Sequence, residues 1–419
     1  MVRNHLLVPE DHENILYNWM LNFQVLTPEY FKMYSKSRPL PETDIYVFSD
    51  PDWKHEKFPL GLSFFDPLHN CAAILGMRYF GEFKKGTLTL AWGIANRNGY
   101  ASCHGGQKRY RLSDGRNKVI GVFGLSGSGK STITHAKHDN KYEVTVLHDD
   151  AFVISSENGS SIAMEPSYFD KTSDYPCSSP DNKYLITLQN CGATLDEDGQ
   201  VVLVTEDVRN GNGRAIKSKL WSPNRVDKLN EPINAIIWLM KDPTLPPVVK
   251  ITGSALASVF GATLATKRTT AERLAPGVDP NALVIEPYAN PFRTYPLAED
   301  FEKFKYLFAY RNVDCYVLNT GFFMDKKINK EVTLKILEEI VENRAIFNAW
   351  SPFQHLSILP VEGFIPDMQD RAYVEQLKER MKDRVKFLES RETFKGGFDR
   401  LPADAIQAMK ETVNDIDTL

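Results

Sequence analysis

The chain has 419 residues, of which 42% are hydrophobic and 25% are charged, a composition typical of a globular protein. Its 50 basic and 54 acidic residues give a formal net charge of −4, which argues against nucleic acid as the main partner. We expect neither a signal peptide nor a membrane span, because long apolar runs are missing from the sequence. Five scattered cysteines without C-x-x-C spacing favour a cytoplasmic location over a disulfide framework or a zinc site.

The length favours two domains. Residues 1–100 mix aromatic stretches with prolines and predict a small α/β lobe, in which residues 88–92 alternate at the period of a strand. A second domain is expected to span residues 101–419. Its compact apolar runs predict buried strands at residues 119–123, 144–147, 235–240 and 315–319.

The connecting segments and helices of the second domain also leave local signals. The polar segment 155–161 predicts either a hairpin turn or a mobile loop. Turn residues occur at 196–199, before a strand at 200–204, and at 210–213. Apolar residues recur at helical spacing over 333–341 and 374–388, which predicts two helices that face the core.

A glycine-rich segment follows the first of the buried strands. Residues 124–132 read GLSGSGKST and fit the phosphate-binding P-loop pattern G-x-x-x-x-G-K-[ST]. Glycines in such a loop let backbone N–H groups surround phosphate oxygens, the lysine reaches the β- and γ-phosphates, and the following hydroxyl binds the metal. The predicted nucleotide-binding residues of this segment are Gly124, Ser126, Gly127, Ser128, Gly129, Lys130, Ser131 and Thr132.

An acidic pair, Asp149 and Asp150, ends the next buried strand. Carboxylates at this position of a P-loop fold commonly hold a divalent cation beside the phosphates, one directly and the other through water. The alternative is a solvated acidic turn.

Further motifs occur in a fixed order around the loop. A Tyr-x-Gly-Glu-x-Lys-Lys-Gly segment spans residues 79–86, and a Ser-x-His occupies residues 102–104. Downstream lie LPPVVKIT at 245–252, LNTG at 318–321 and KINKEVT at 327–333. In this order the motifs, spread over roughly residues 45–390, resemble ATP-dependent phosphoenolpyruvate carboxykinase. The resemblance implies the fold of that family, an α/β P-loop core with a reduced N-terminal α/β lobe.

The resemblance also implies roles for individual residues. The ligands of the divalent metal, Mg²⁺ or Mn²⁺, would be Lys85, His104, Asp150 and the Ser131 hydroxyl, with Asp149 ordering a metal-bound water. Lysine binds metal only as a neutral amine, so burial, Lys84 and the cation must lower the pKa of Lys85. Lys130 would stabilise the γ-phosphate as it moves. The adenine would be lined by Lys327, Ile328 and Thr333, and the substrate would meet Tyr79, Ser126 and Lys250. The predicted catalytic residues are Lys130, Lys85, Asp150 and Lys250.

The chain departs from the family pattern on the side that recognises carboxylates. We find no counterpart of the family's N-terminal Gly-Arg-Ser-Pro-Lys-Asp-Lys segment, whose arginine clamps the substrate, and we expect a shortened N-terminal lobe. Lys250 replaces a second clamp arginine, and it keeps the charge but loses the bidentate fork. Arg293, Lys267 and Arg268 are candidates for the lost anion contact, with ordinary surface charge as the alternative.

The sequence therefore predicts a phosphotransferase that depends on ATP and on Mg²⁺ or Mn²⁺. Its partners would be a nucleotide and an anionic or hydroxyl-bearing acceptor, with no nucleic acid and no membrane, and the oligomeric state stays open. The missing clamp favours a changed acceptor, a small molecule or a protein hydroxyl. The overall resemblance favours conversion of oxaloacetate and ATP to phosphoenolpyruvate, ADP and CO₂. A non-catalytic ATP sensor is the third hypothesis, against which the retained metal residues argue.

Overall fold

The structure, a computed structural model, describes residues 2–23, 27–125, 127–205, 211–267 and 283–418. Its strands are β1 (Asn4–Leu7), β2 (Ile45–Asp50), β3 (Leu62–Asp66), β4 (Cys71–Leu75), β5 (Tyr100–Arg111), β6 (Asn117–Phe123), β7 (Glu143–His148), β8 (Ala151–Ser155), β9 (Ser161–Ala163), β10 (Tyr168–Lys171), β11 (Leu185–Gln189), β12 (Gly192–Leu195), β13 (Val201–Val204), β14 (Arg214–Lys217), β15 (Lys228–Leu229), β16 (Ala235–Met240), β17 (Val248–Ile251), β18 (Ala265–Lys267), β19 (Leu283–Ile285), β20 (Asp314–Asn319), β21 (Phe322–Phe323), β22 (Lys326–Lys327), β23 (Asn348–Ala349) and β24 (Leu356–Ile358). Its helices are α1 (Glu13–Phe23), α2 (Pro28–Lys36), α3 (Phe80–Arg97), α4 (Lys130–His135), α5 (Ser254–Ala262), α6 (Leu297–Tyr310), α7 (Lys330–Val341), α8 (Arg371–Ser390) and α9 (Ala403–Ile416).

The chain divides into two compact units. The first unit combines residues 2–98 with residues 164–225. It contains a sheet of order β1-β2-β4-β3, a small sheet of order β10-β14-β11 and the hairpin β12-β13. Helix α3 packs on β2 and β4, and Ile15, Phe83 and Ile216 belong to one buried cluster. This cluster ties the segment 164–225 to the amino-terminal residues, because Ile216 lies on β14.

The second unit contains residues 99–163, 226–267 and 283–418. Its large mixed sheet has the order β15-β9-β8-β5-β6-β16-β20-β17-β24-β23, with β7 paired to β5. Strands β6, β16 and β20 are parallel neighbours, so their carboxyl ends lie at the same edge. Trp238 on β16 is fully buried against Phe123 and Phe304, which anchors α6 to the sheet. Segments that follow β6 and β20 are therefore held at that edge on either side of β16.

The predicted α/β fold class is confirmed, and so are the four buried strands. Residues 119–123, 144–147, 235–240 and 315–319 fall within β6, β7, β16 and β20. The segment 155–161 is a hairpin turn between β8 and β9, and the helices at 333–341 and 374–388 lie within α7 and α8. The turn at 196–199 joins β12 and β13. The turn predicted at 210–213 lies partly outside the described residues.

The strand predicted at residues 88–92 is wrong, because these residues lie in α3. Most of α3 is buried, including Leu88, Leu90 and Trp92. A helix that is buried on most sides carries apolar residues at many spacings. A short alternating run within it therefore resembles a strand.

The division of the chain differs from the boundary drawn at residue 100. The sequence predicts residues 164–225 in the second domain, whereas their contacts group them with residues 2–98. Strand β14 contacts α1, which accounts for this grouping.

Over the ranges that the structure describes, no helix is long and apolar enough to cross a membrane.

Candidate active site

The glycine-rich loop, residues 124–130, connects β6 to α4. Gly124 lies against Leu239, and a Cβ on Gly124 would lie 2.8 Å from the Leu239 Cβ atom. Gly127 and Gly129 have φ angles of 79° and 94°, in the region that favours glycine. Gly124 therefore allows the loop to approach β16 closely. Gly127 and Gly129 provide the two residues with positive φ that precede the helix. Ser126 lies outside the described residues.

The loop is held by backbone hydrogen bonds and by the segment after β20. The Ser128 N–H donates to the Leu125 carbonyl at 3.0 Å, and the Ile133 N–H donates to the Gly129 carbonyl at 2.9 Å. The Thr320 hydroxyl donates to the Ser128 carbonyl at 2.8 Å. Since Thr320 belongs to the LNTG motif, the structure joins two of the motifs found in the sequence. Ser131 and Thr132 are exposed in the first turn of α4.

Two of the predicted site residues converge on the carboxylate of a third. Asp150 Oδ1 lies 2.9 Å from His104 Nε2 and 3.7 Å from Lys130 Nζ. Strand pairing explains the first contact, because His104 on β5 lies opposite Ala151 on β8. The side chain of Lys130 is only 11% exposed, so its charge is directed inward beside Asp150. The sequence motifs at 102–104, 124–132 and 149–150 thus meet at one place.

The donor set at Asp150 is compatible with a divalent cation. His104 Nδ1 contacts the Ala289 carbonyl, so Nδ1 carries the proton and Nε2 points to Asp150. Two adjacent ligands of octahedral Mg²⁺, each at about 2.1 Å, are about 3 Å apart, and the observed separation is 2.9 Å. Within the described ranges, no three His, Cys, Asp or Glu side chains are grouped to hold a metal. The protein ligands that fit a divalent cation here are therefore the pair His104 and Asp150.

Asp149 has different partners from Asp150. Its Oδ2 atom lies 3.2 Å from His135 Nε2, and its Oδ1 atom lies 3.9 Å from His148 Nδ1. Burial alone would raise the pKa of Asp149, but the hydrogen bond and charge of His135 and the charge of His148 hold this pKa below its usual range. Asp149 is thus an ionised group that contacts the last turn of α4. Its predicted role, ordering a metal-bound water, stays a prediction.

Tyr79 and Lys85 lie in the first unit, at the start of α3. Burial raises the pKa of Tyr79, although the Arg214 guanidinium, 5.9 Å from its ring centre, acts in the opposite direction. Lys85 is half-buried, and its Nζ lies 5.8 Å from the ring centre of Trp92. The neighbouring Lys84 is fully buried and pairs with Glu165 at 2.9 Å. The structure therefore gives the two lysines of this motif different surroundings.

The buried Lys84–Glu165 pair leads to a stability prediction. Glu165 also accepts a hydrogen bond from the Asn22 side chain at 2.9 Å, so its carboxylate joins α1 to α3. Glu165→Gln keeps the volume but removes the charge that balances the Lys84 ammonium. We expect the free energy of unfolding to fall by about 3–5 kcal/mol, measured by urea denaturation.

The matched control for this prediction is Glu299→Gln. Glu299, whose side chain is 52% exposed, pairs on α6 with Lys303, which is 15% exposed, at 3.2 Å. Loss of an exposed pair is expected to cost about 0.5 kcal/mol or less. Equal destabilisation by the two substitutions would contradict the importance of the buried pair.

Two of the cationic residues predicted to bind substrate or anions are engaged with carboxylates. Lys250 Nζ lies 3.0 Å from Asp314 Oδ1, at the amino end of β20, whereas the glycine-rich loop follows the carboxyl end of β6. Arg293 is largely buried and contacts Asp399 at 2.9 Å, so it belongs to a buried ion pair and is not the ordinary surface charge of the stated alternative. Arg268 lies outside the described residues, and Lys267 lies in β18. The substrate role of Lys250 stays a prediction.

The residues predicted to line the adenine follow β20. Lys327 is exposed in β22, whereas Ile328 is 4% exposed and its N–H donates to the Gly321 carbonyl at 3.0 Å. The Thr333 hydroxyl donates to the Asn329 carbonyl at 3.2 Å within the first turn of α7. The KINKEVT motif is thus connected to the LNTG motif, and through Thr320 to the glycine-rich loop.

Sequence reasoning missed Lys108, His135 and Glu165. Lys108 follows His104 by four residues on the same strand. Because side chains alternate between the two faces of a strand, the sequence places both residues on one face. His135 ends the helix that the glycine-rich loop begins, and its contact with Asp149 depends on how α4 packs. Glu165 is distant in sequence from Lys84, and no local pattern connects them.

Together these features define a mixed α/β protein with a glycine-rich loop beside a histidine–aspartate pair. The model of the family described as phosphoenolpyruvate carboxykinase matches residues 48–359. The chain belongs to this family. It is similar to "Phosphoenolpyruvate carboxykinase (ATP)" of Aeropyrum pernix, with 28% identity over 348 residues that cover 77% of this chain and 67% of that protein. ATP and a divalent metal are the cofactors of the family.

Proposed function

We propose that the protein catalyses the conversion of oxaloacetate and ATP to phosphoenolpyruvate, ADP and CO₂. The observation that carries this proposal is the convergence of His104 and Lys130 on Asp150 beside the glycine-rich loop. Membership of the carboxykinase family and the similarity to the Aeropyrum pernix protein support the same reaction.

The proposed reaction has two bond-breaking steps. The bond from C3 of oxaloacetate to the departing carboxylate breaks, CO₂ leaves, and the electron pair forms an enolate. The enolate oxygen then bonds to the γ-phosphorus of ATP while the bond to the bridging oxygen breaks and ADP leaves. Such a transfer requires positioning and charge neutralisation more than covalent assistance from the protein.

The residues of the second unit suit these requirements. The amides of the glycine-rich loop would hold the phosphates, and the Lys130 ammonium would neutralise charge on the γ-phosphoryl group. His104 and Asp150 would hold Mg²⁺ or Mn²⁺, which supplies positive charge to the phosphates when bound. Lys85, Ser131, Asp149, Tyr79 and Ser126 keep the roles that the resemblance implies. The adenine-side assignment of Lys327, Ile328 and Thr333 rests on the same argument.

A changed acceptor is the second candidate function. The observation that favours it is the contact of Lys250 with Asp314, which engages the amino group at the position of the family's second clamp arginine. This contact leaves one cation fewer for a dicarboxylate substrate. The phosphotransfer residues would then serve a different small molecule or a protein hydroxyl.

The test is ADP formation from ATP by the purified protein with Mg²⁺ and Mn²⁺, with and without oxaloacetate. We expect ADP to form only with oxaloacetate and in a one-to-one ratio with phosphoenolpyruvate. ATP binding without oxaloacetate-dependent turnover would favour the changed acceptor. ATP binding without turnover over a broad panel of acceptors would favour a non-catalytic sensor.

A further inference from the structure

Lys108 is a buried lysine on β5 whose polar contacts are mainly backbone carbonyls. Lys108 is only 3% exposed. Its Nζ donates to the Ile133 carbonyl at 2.7 Å and to the Ala136 carbonyl at 3.1 Å. His138 Nε2 lies 3.3 Å away, and the ring centre of Tyr110 lies 4.5 Å away. Burial lowers the pKa of Lys108 to about 7. Both the ammonium and the neutral amine can donate to the two carbonyls.

The two carbonyls lie at the carboxyl end of α4. Helix α4 ends at His135, and the last carbonyls of a helix are only partly satisfied within it. The Ile133 carbonyl also accepts from the Ala136 N–H at 3.3 Å. A donor that also carries positive charge satisfies these carbonyls and interacts favourably with the negative end of the helix dipole. Lys108 therefore caps α4 from a neighbouring strand.

The strand that carries Lys108 also carries His104. Residues 104, 106 and 108 alternate along β5 and lie on one face. Gly106, between the two, lies directly against Thr134 of α4, where a Cβ would collide with the Thr134 hydroxyl. Because β5 pairs with β6 without a bulge from Gly105 to Arg111, this face has a fixed register with the strand that enters the glycine-rich loop.

We propose that Lys108 is a positioning residue that aligns the glycine-rich loop with His104 and Asp150. Helix α4 has six residues and is about 9 Å long, so a displacement at its carboxyl end moves Lys130 at its amino end. Lys108 fixes the carboxyl end, Gly106 sets the distance from the strand, and His104 lies two residues further along the same face. The inference rests on the proposed function, because its ligand is MgATP.

The test compares MgATP binding by wild type, Lys108→Met, Lys108→Arg and Tyr110→Phe, using titration calorimetry. Lys108→Met keeps the length of the side chain and removes both donors and the charge. We expect its dissociation constant for MgATP to rise about tenfold, with most of the affinity recovered in Lys108→Arg. Tyr110→Phe is the matched control, since the Tyr110 hydroxyl contacts His138 at 3.2 Å but neither carbonyl. We expect its affinity to stay within about twofold of wild type.

Wild-type affinity in Lys108→Met, or equal losses in Lys108→Met and Tyr110→Phe, would overturn the inference. If Lys108→Met fails to fold, Lys108→Gln supplies the same test, because its shorter amide cannot reach both carbonyls, and unchanged affinity would again overturn it. If the wild type binds no MgATP, the proposed function fails. Hydrogen exchange then decides the inference alone: faster exchange of the amides of residues 130–136 in Lys108→Met than in Tyr110→Phe supports it, and equal exchange overturns it.

Discussion

Lys130→Ala is expected to lower kcat for ADP formation by at least about 10³-fold while leaving the fold intact. Lys130 is the first residue of α4 and follows Gly129, whose φ of 94° directs the chain into the helix. Its Nζ lies 3.7 Å from Asp150, so the ammonium is held beside the carboxylate that contacts His104. Alanine removes the positive charge at the point where the moving phosphoryl group is expected to gain negative charge. Steady-state kinetics with ATP and oxaloacetate measure this effect.

The matched control for Lys130→Ala is Lys137→Ala. Lys137 is exposed and lies two residues beyond the end of α4, so its loss changes the net charge of the same segment equally. We expect its kcat to stay near that of wild type and both variants to unfold near the wild-type temperature. Full activity in Lys130→Ala would contradict the phosphotransfer assignment. A large loss in Lys137→Ala would show that charge in this segment, rather than position, controls the rate.

The parts of the fold that the sequence predicted are those with local signals. Strands β6 and β16 are continuous apolar runs of the length of a strand, and the glycine-rich loop has a fixed spacing between its glycines and Lys130. The strand prediction for residues 88–92 of helix α3 is wrong, because a helix buried on several sides lacks a clear polar face. The spacing of apolar residues distinguishes a helix from a strand only when one face of the element is exposed to water.

The parts of the site that the sequence could not predict depend on packing between distant segments. Asp149 and Asp150 are adjacent and chemically identical, and only the orientation of β7 and β8 gives one to His135 and the other to His104. The charge of Lys250 was evident, but its partner Asp314 comes from a strand 64 positions later. A residue type indicates which chemistry is available, whereas the tertiary structure decides which partner uses it.

Asp150→Asn is expected to weaken Mn²⁺ binding about 10-fold to 100-fold and to lower kcat by a similar or larger factor. The carboxylate lies beside both His104 Nε2 and Lys130 Nζ, so the amide removes the negative charge at the centre of the site. Asparagine keeps the shape of the side chain, which limits the effect to charge and proton-acceptor capacity. Titration of free Mn²⁺ by electron paramagnetic resonance, with and without ATP, measures metal binding independently of turnover.

Asp149→Asn is the informative control for Asp150→Asn, because the two substitutions are the same and the residues are adjacent. The Asp149 carboxylate contacts His135 in α4 and not His104, so its loss should loosen the last turn of that helix. We expect Asp149→Asn to lower the unfolding temperature and to change Mn²⁺ affinity less than Asp150→Asn does. If both substitutions weaken Mn²⁺ equally, Asp149 has the role that the resemblance implies, as orderer of a metal-bound water. The comparison therefore distinguishes a ligand of the metal from a residue that holds helix α4 in place.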